Sequence, residues 1–379
     1  MIACIDLDCF YVSCEIAKDS SLFGKPVLVV VGERDRGVVL SASYEARKYG
    51  IKSGIPLFKA KELCPFALFL KADFKYYEEV SKKIRNLIFS YTPLVEQGSI
   101  DEFYLSFKGC QRLYRYDLFG AIENLRKQIK GEFKIPSSAG LSSTKCTSKI
   151  LSKIAKPEKQ IFVLKEKEFL QNLPINLIPG LGKKRGEKLK NIGFKKIGDI
   201  QKCPDEILFA ILGKNAREIK MKALGIYEEP FILNHIPKSI GKERTFFEGK
   251  IDEDGILDCL FWLTEEVVFK MRALLLLAKK IEVKLKYSDF QVESKSFTFA
   301  HPVNSYNIFQ KKAKEIFLSI YKRRIRVRLL GVSVSNFENF SGQKTMNFFN
   351  EEKKNSLLKV LDFLKKKYGL RFIFFGRNF

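Results

Sequence analysis

Ile2-Ala3-Cys4-Ile5-Asp6-Leu7-Asp8 opens the chain as a run of β-type apolar residues that ends in acid. Such a run reads as a buried strand that delivers carboxylates to a site at its end. Residues two apart share a strand face, so Asp6 and Asp8 look into one place. Outward from this stretch, Val27 to Val31 and Gly37 to Ser41 read as two more strands around a Gly-Glu-Arg-Asp-Arg-Gly turn. Ser43 to Tyr49 reads as a short helix that Gly50 closes. Tyr77, Val80, Ile84, Leu87 and Ile88 recur at helical spacing and predict a helix from Tyr76 to Phe89. Leu94 to Phe107 reads as a hairpin with Gly98-Ser99 at its turn, and Leu118 to Phe133 as a second amphipathic helix. Strand, helix, hairpin, helix, strand is the order of a ferredoxin-like α+β sheet.

After Phe162 the character changes. Residues 164–230 read as helical, with short loops rich in Lys and Gly, and 231–241 as a linker. Residues 242–340 return to α+β. There the pattern predicts a helix from Ile256 to Leu277, strands Ile281 to Tyr287 and Ser294 to Phe299, a basic helix Asn307 to Tyr321 and a strand Arg326 to Phe337. Residues 341–379 form a tail. No solenoid repeat or low-complexity segment interrupts this order.

The 379 residues are enough for several domains with real cores. Lys plus Arg number 68 against 43 Asp plus Glu, a formal charge of +25 that calls for a polyanionic partner, nucleic acid before an anionic membrane surface. A hydrophobic fraction of 46% excludes a disordered basic tail protein. The longest apolar runs, such as Val27 to Val31 and Leu274 to Ala278, fall far short of the ~20 residues that span a bilayer. The first residues lack the basic start and cleavage site of a signal peptide, so the expected location is cytoplasmic. The eight cysteines form no CxxC pair, which argues against zinc and for reduced, structural thiols.

Asp6-Leu7-Asp8 and Asp101-Glu102 are the sharpest chemical feature. Asp101 and Glu102 would alternate faces in a flat strand, so they converge only if Gly98-Ser99 introduces a bend before them. Carboxylates gathered in this way repel unless a hard cation lies between them, and Mg²⁺ takes oxygen ligands of this kind. Two such ions ~3.5–4 Å apart activate a hydroxyl and hold a departing pyrophosphate. The alternative is four solvated acids at two strand ends.

Asp6-Leu7-Asp8-Cys9-Phe10-Tyr11, Ser43-Tyr44-Glu45-Ala46-Arg47-Lys48-Tyr49-Gly50, Ser99-Ile100-Asp101-Glu102 and Ala155-Lys156-Pro157 follow one another in the order and at the distances found in a known family. From Met1 to about Phe340 the chain resembles the Y-family DNA polymerases, above all their bacterial DinB branch. The resemblance implies an α+β multidomain right-hand polymerase. Its ferredoxin-like palm would comprise 1–10 and 74–163, its small fingers 11–73 and its helical thumb 164–230. A linker, 231–241, would lead to an α+β little finger, 242–340, and a tail, 341–379. It implies template-directed addition of dNTPs to a primer end, of translesion type, at low fidelity and without proofreading, by a monomer bound to primer-template DNA. By the same resemblance Asp6, Asp101 and Glu102 hold two Mg²⁺ ions, Leu7 offers its backbone carbonyl to one of them, and Asp8 stands behind. Tyr44, Arg47 and Lys156 would meet the triphosphate. Phe10 and Tyr11 would stand at the nucleotide, with Tyr11 under the sugar blocking a 2′-hydroxyl, while Phe10 taken alone reads as a partly buried aromatic. Phe103 stands where the family usually has Ala, Ser106 where an acid is common, and Glu158-Lys159-Gln160 where Asn or Asp then Gly follow the Lys-Pro pair.

Two stretches read as nucleic-acid contacts. Ile178-Pro179-Gly180-Leu181-Gly182, followed by Lys183, Lys184 and Arg185, resembles a helix-hairpin-helix, where glycines let the backbone approach a phosphate. Residues 183–196 hold seven basic residues and one acid. Residues 311–328 hold eight basic residues, among them Arg324, Arg326 and Arg328, which fits a surface that tracks phosphates without reading bases. In the tail, Thr345-Met346-Asn347-Phe348-Phe349 before a basic helix from Glu351 to Tyr368 resembles the peptide by which bacterial polymerases dock on the sliding clamp, with Thr345 where Gln is usual. A catalytically dead adaptor and a nucleotidyl cyclase with a similar palm are the rival classes. The retained acids speak against the first, and the helix-hairpin-helix and basic C-terminal domain against the second.

Overall fold

The computed structural model describes residues 1–32, 37–233, 236–250, 252–323, 325–339 and 360–369. The chain divides into two compact units, Met1–Asn234 and His235–Phe379.

In the first unit β1 (Ile2–Leu7) leads to α1 (Phe10–Lys18), β2 (Val27–Val31), β3 (Val38–Ala42), α2 (Tyr44–Arg47), α3 (Leu57–Leu63) and β4 (Leu68–Lys71). There follow α4 (Phe74–Phe89), the hairpin β5 (Leu94–Gln97) and β6 (Glu102–Ser106), α5 (Leu118–Phe133), β7 (Ser137–Ser142), α6 (Lys145–Ile154) and β8 (Gln160–Phe162). The helices α7 (Glu166–Leu170), α8 (Lys183–Asn191), α9 (Ile197–Lys202), α10 (Asp205–Leu212) and α11 (Ala216–Leu224) complete the unit.

β1 is the central strand of a five-stranded sheet, order β5-β6-β1-β7-β8, antiparallel to β6 and β7. This is the ferredoxin-like arrangement, with β8 added parallel to β7. The two-residue period of the strands divides the sheet chemically. Ala3, Ile5, Leu7, Phe103, Leu105 and Leu141 enter the core under α4 and α5, with Tyr77, Ile84, Ile122 and Leu125. Each such fully buried aliphatic side chain contributes about 1.5–3 kcal/mol. Phe103 is fully buried there, so the large side chain at that position fills the core. Cys4, Asp6, Glu102, Tyr104, Ser138 and Gly140 alternate onto the opposite face, which α6 covers. Ser148 Oγ donates to the Ile2 carbonyl at 2.9 Å, and Ser152 Oγ to Cys4 Sγ at 3.5 Å. β7 is Ser-Ser-Ala-Gly-Leu-Ser, and its small side chains let α6 settle close. A Cβ on Gly140 would stand 2.2 Å from the Ser148 carbonyl oxygen and 2.5 Å from Leu151 Cβ.

A smaller sheet, order β3-β2-β4, encloses a separate core of Leu28, Val39, Ile51 and Leu57. At its edge the Ser43 hydroxyl accepts the Ala46 N–H at 3.1 Å and starts the turn that carries Tyr44 and Arg47. The helices after β8 share a core of Leu170, Ile178, Leu189, Ile200 and Ile219, to which α6 adds Cys146 and Ile150. All eight cysteines are free thiols, seven of them buried.

The second unit contains β9 (Ser239–Lys250), α12 (Glu253–Ala273), β10 (Leu276–Tyr287), β11 (Val292–Val303), α13 (Tyr306–Ile320) and β12 (Val327–Asn339), with an antiparallel sheet ordered β11-β10-β12-β9. Two expectations are corrected here. The linker over 231–241 runs into β9, which starts at Ser239. β9 is an edge strand in which, among the described side chains, Ile240 and Phe246 are the buried apolar ones, so its alternation is too sparse to read. The helix expected to reach Leu277 stops at Ala273, and β10 begins at Leu276. The apolar run Leu274 to Ala278 hides the break, which Leu275 makes at a φ of +55°. The helix expected from Glu351 to Tyr368 is described over 360–368. There Asp362 accepts from Arg272 Nε at 2.8 Å and from Tyr306 Oη at 2.8 Å, while Lys365 pairs with the buried Glu265.

Gly140→Ala is expected to destabilise the first unit by about 1–3 kcal/mol, because neither β7 nor α6 has side-chain slack to give. Gly131→Ala is the control: it lies in the last turn of α5, where a Cβ would meet nothing within 4 Å, and should gain about 0.4–1 kcal/mol. Urea midpoints of the two variants should therefore move in opposite directions.

Candidate active site

Asp6 at the end of β1 lies directly opposite Glu102 at the start of β6, and on its other side opposite Ser138. The hairpin turn supplies Asp101. Gly98 N–H donates to the Glu102 carbonyl at 2.9 Å, which folds the turn back, and the Asp101 carbonyl accepts Leu7 N–H at 2.9 Å. The bend that the convergence of adjacent acids requires is thus present. Gly98 makes it possible, since a Cβ there would meet the Tyr104 ring at 3.0 Å and Glu102 Oε1 at 3.1 Å. Leu7 turns its side chain into the core and keeps only its backbone at the site.

Every one of these acids has a donor. Lys156 Nζ donates to Asp6 Oδ1 at 2.5 Å. Lys149 Nζ lies 2.8 and 2.5 Å from the two Glu102 oxygens, and Tyr104 Oη donates to Glu102 Oε1 at 2.5 Å. Ser99 Oγ donates to Asp101 Oδ1 at 2.5 Å. With the carboxylates turned to these partners, no three Asp, Glu, His or Cys side chains among the described residues stand close enough to hold a metal ion between them. The electrostatics nonetheless couple them. Burial, relieved in part by Lys156 and worsened by the charges of Asp101 and Glu102, pushes the Asp6 carboxyl up to about 6. Burial lowers the affinity of Lys149 for its proton, but the hydrogen bonds and charge of Glu102 outweigh it and hold the ammonium above its usual range.

Asp8 is fully buried. Ser138 Oγ donates to it at 2.8 Å and Glu158 N–H at 2.9 Å, so it anchors the loop that follows Lys156 from behind. Glu158, where this loop departs from the family pattern, adds an ion pair to Lys130. Lys149, Tyr104 and Ser138 escape the sequence reading, and so does the whole of α6. The available signal was a pair of lysines one helical turn apart, Lys145 and Lys149, which bind Glu96 (2.8 Å) and Glu102, while Lys156, past the end of α6, binds Asp6.

Tyr11 leaves the first turn of α1 half-buried, its ring 4.9 Å from that of Tyr77 and 6.3 Å from that of Phe74. Burial first, and then the Asp101 charge, hold its phenol above the usual range. Phe10 is 2% exposed and packs edge-on against Tyr77, so it acts from within the core, beneath Tyr11. Tyr44 presents its ring to the Arg47 guanidinium at 5.1 Å. The Tyr44 hydroxyl is buried and makes no hydrogen bond of ordinary length; desolvation, and then the neighbouring Asp8 charge, raise its pKa. Arg47 Nε donates to the Ala42 carbonyl at 3.1 Å, which orients the guanidinium fork.

Gly180 adopts a φ of +88° and Gly182 caps α8 without a side-chain hydrogen bond. Arg185 Nη1 reaches back to the Gly180 carbonyl at 3.4 Å, while Lys183 and Lys184 are exposed. In the second unit Arg326 lies just before β12, not within it as expected, and Arg328 lies inside it; both are exposed, and Arg328 stands over the Phe290 ring at 4.9 Å. Arg324 and the peptide Thr345 to Phe349 lie outside the described residues. No helix among the described residues is long and apolar enough to cross a membrane.

Comparison with known proteins gives this geometry its context. The family described as impB/mucB/samB matches residues 5–153, its C-terminal domain 237–347 and its HHH motif 165–194. The chain is 33% identical to a DNA polymerase IV of Desulfatibacillum aliphaticivorans over 97% of this chain and 94% of that one. It is 35% identical to a DNA polymerase IV of Clostridioides difficile (strain 630) over 88% and 92% of the two chains. Among solved structures it resembles a Y-family polymerase chimera of Dbh and Dpo4, with a TM-score of 0.79 and 29% identity over 89% of this chain and 100% of the other. DinB from Sulfolobus solfataricus gives 0.62 and 28% over the same shares. With near-full-length relatives, a matching fold and the acids gathered at the end of β1, the chain belongs to the Y-family of DNA polymerases, in the DNA polymerase IV group, and is a DNA-directed DNA polymerase.

Proposed function

We propose that this polymerase is of the translesion type, copying primer-template DNA from dNTPs at low fidelity and without proofreading, with Asp6, Asp101, Glu102 and the Leu7 carbonyl holding two Mg²⁺ ions. The observation that carries the reading is the cross-strand pair of Asp6 and Glu102 with Asp101 in the adjoining turn. Acids from two distant segments meet at one strand end in a chain of net charge +25. The donor set fits a hard divalent cation, because it is oxygen only and because Asp6 bears the mutual repulsion of the cluster. Bound there, divalent ions supply the charge that activates the primer 3′-hydroxyl and neutralises the departing pyrophosphate.

The chain's own groups do the rest. Arg47 offers a guanidinium fork to phosphate oxygens, and Tyr44, from the same helical turn, would meet them once its buried hydroxyl turns outward. Lys156 has Asp6 as its partner in this state and would transfer its charge to the incoming triphosphate. Tyr11, braced by Phe74 and Tyr77 and seated on Phe10, has little freedom to retreat from a 2′-hydroxyl. In this reading 1–10 and 74–163 are the palm, 11–73 the fingers, 164–230 the thumb and 242–340 the little finger. The start of α8, with Gly180, Gly182, Lys183, Lys184 and Arg185, binds duplex phosphates through uncapped N–H groups and positive charge. In the little finger Arg324, Arg326 and Arg328 bind phosphates by charge, the peptide from Thr345 to Phe349 docks on a sliding clamp, and the enzyme acts in the cytoplasm as a monomer.

Asp101→Ala combined with Glu102→Ala is expected to lower primer extension by roughly three orders of magnitude and leave duplex binding intact; extension at the native rate would reject the assignment. Tyr11→Ala should raise rNTP incorporation roughly ten- to a hundredfold relative to dNTP, and unaltered sugar selection would refute the gate. The third expectation concerns pH. The Asp6 carboxyl titrates at about 6 in the folded protein against an ordinary 3.8, so between these values the folded state holds more protons than the unfolded. In EDTA the urea midpoint should therefore fall as pH rises from about 4 to about 6, and Asp6→Asn should flatten that slope.

A further inference from the structure

We propose that Lys149 is a built-in counter-cation for Glu102, held on the carboxylate in the metal-free protein and displaced from it when a divalent cation binds among the acids. This makes Lys149 a positioning residue for the polymerase reaction, and the inference rests on the metal reading above.

Lys149 contacts both oxygens of Glu102, at 2.8 and 2.5 Å, so it occupies both atoms with which that carboxylate could meet a cation. The adjoining acid has the same kind of partner, since Lys156 sits on Asp6 at 2.5 Å. Three acids thus face two ammonium groups, which offset all but one of the negative charges before any ion arrives.

Two neighbours show why Lys149 is the one that exchanges. Lys145, one turn earlier on α6, is locked: its side chain is 5% exposed and lies 2.8 Å from Glu96 and 2.9 Å from the Pro230 carbonyl. Lys149 is 41% exposed and has open solvent to swing into. Tyr104 is the second neighbour. Its hydroxyl stays on Glu102 Oε1 at 2.5 Å, so the carboxylate keeps its orientation when the ammonium leaves. A divalent ion therefore replaces a single positive charge on a ligand that is already aimed, and its binding is weakened by the charge it must expel.

Mn²⁺ binding to the full-length protein, followed by its EPR signal, tests the exchange, with Asp101→Ala/Glu102→Ala as the site control. Lys149→Met and Lys149→Gln should each lower the Mn²⁺ dissociation constant roughly fivefold or more, and should enlarge the rise in melting temperature that Mn²⁺ produces. Lys149→Arg keeps the charge and should stay within about twofold of the native constant. Site-dependent binding that the neutral variants leave unchanged overturns the exchange alone. Weaker binding in the neutral variants also overturns it, assigning Lys149 to holding the Glu102 rotamer. Native-strength Mn²⁺ binding in the double acid variant overturns the metal reading itself.

Discussion

Two carboxylates facing each other across neighbouring strands cannot both stay charged in a half-buried place without positive charge beside them. Directly opposed strand residues sit about 5 Å apart, and at an effective dielectric of ~20 the repulsion of two unit charges there is about 3 kcal/mol. Asp6 and Glu102 are such a pair, and Asp101 adds a third charge from the turn. Much of the first unit answers this one constraint. The sheet presents the acids on the face away from α4 and α5, and the opposite helix carries lysines where the acids are.

That helix, α6, performs three tasks with three faces. Ser148, Leu151 and Ser152 meet the sheet through the gap that Gly140 leaves. Cys146 and Ile150 enter the core of the helices that follow β8. Lys145 and Lys149 meet Glu96 and Glu102. A shift of this helix would disturb the acid cluster and the helical region together, so the small side chains of β7 matter to the chemistry although none of them is an acid or a base.

Much of the fold was legible because its strands and helices carry strong periodicity. β1, α4 and α5 have near-continuous apolar faces, and the strand-helix-hairpin-helix-strand order follows from them. The acids were legible as residues but not as a geometry, since the convergence of Asp101 and Glu102 depends on how Gly98 folds the turn. β9 was not legible, because an edge strand whose polar and charged residues, from Lys242 to Thr245, interrupt its apolar ones gives no alternation. Nor was α6, whose sheet-facing side is serine and whose site-facing side is lysine, both of which imitate a solvated helix. Phe10 shows the converse: its position next to Tyr11 suggests a ligand contact, while its burial shows that the ring supports the site from below.

The helix over 360–368 lies past the stretch that the family's C-terminal domain covers, yet it is welded to the second unit. Lys365 neutralises Glu265, which is 5% exposed on α12, and Asp362 does the same for Arg272. Removing one member of a buried ion pair typically destabilises by about 3–5 kcal/mol. A protein ended after β12 would thus leave the Glu265 carboxylate without Lys365, and Arg272 with the Asn304 carbonyl but no carboxylate, in its C-terminal fold. Residues 360–368 are structural keystones of the second unit, and a shortened chain that lost activity would be reporting a loosened domain before it reported a missing partner.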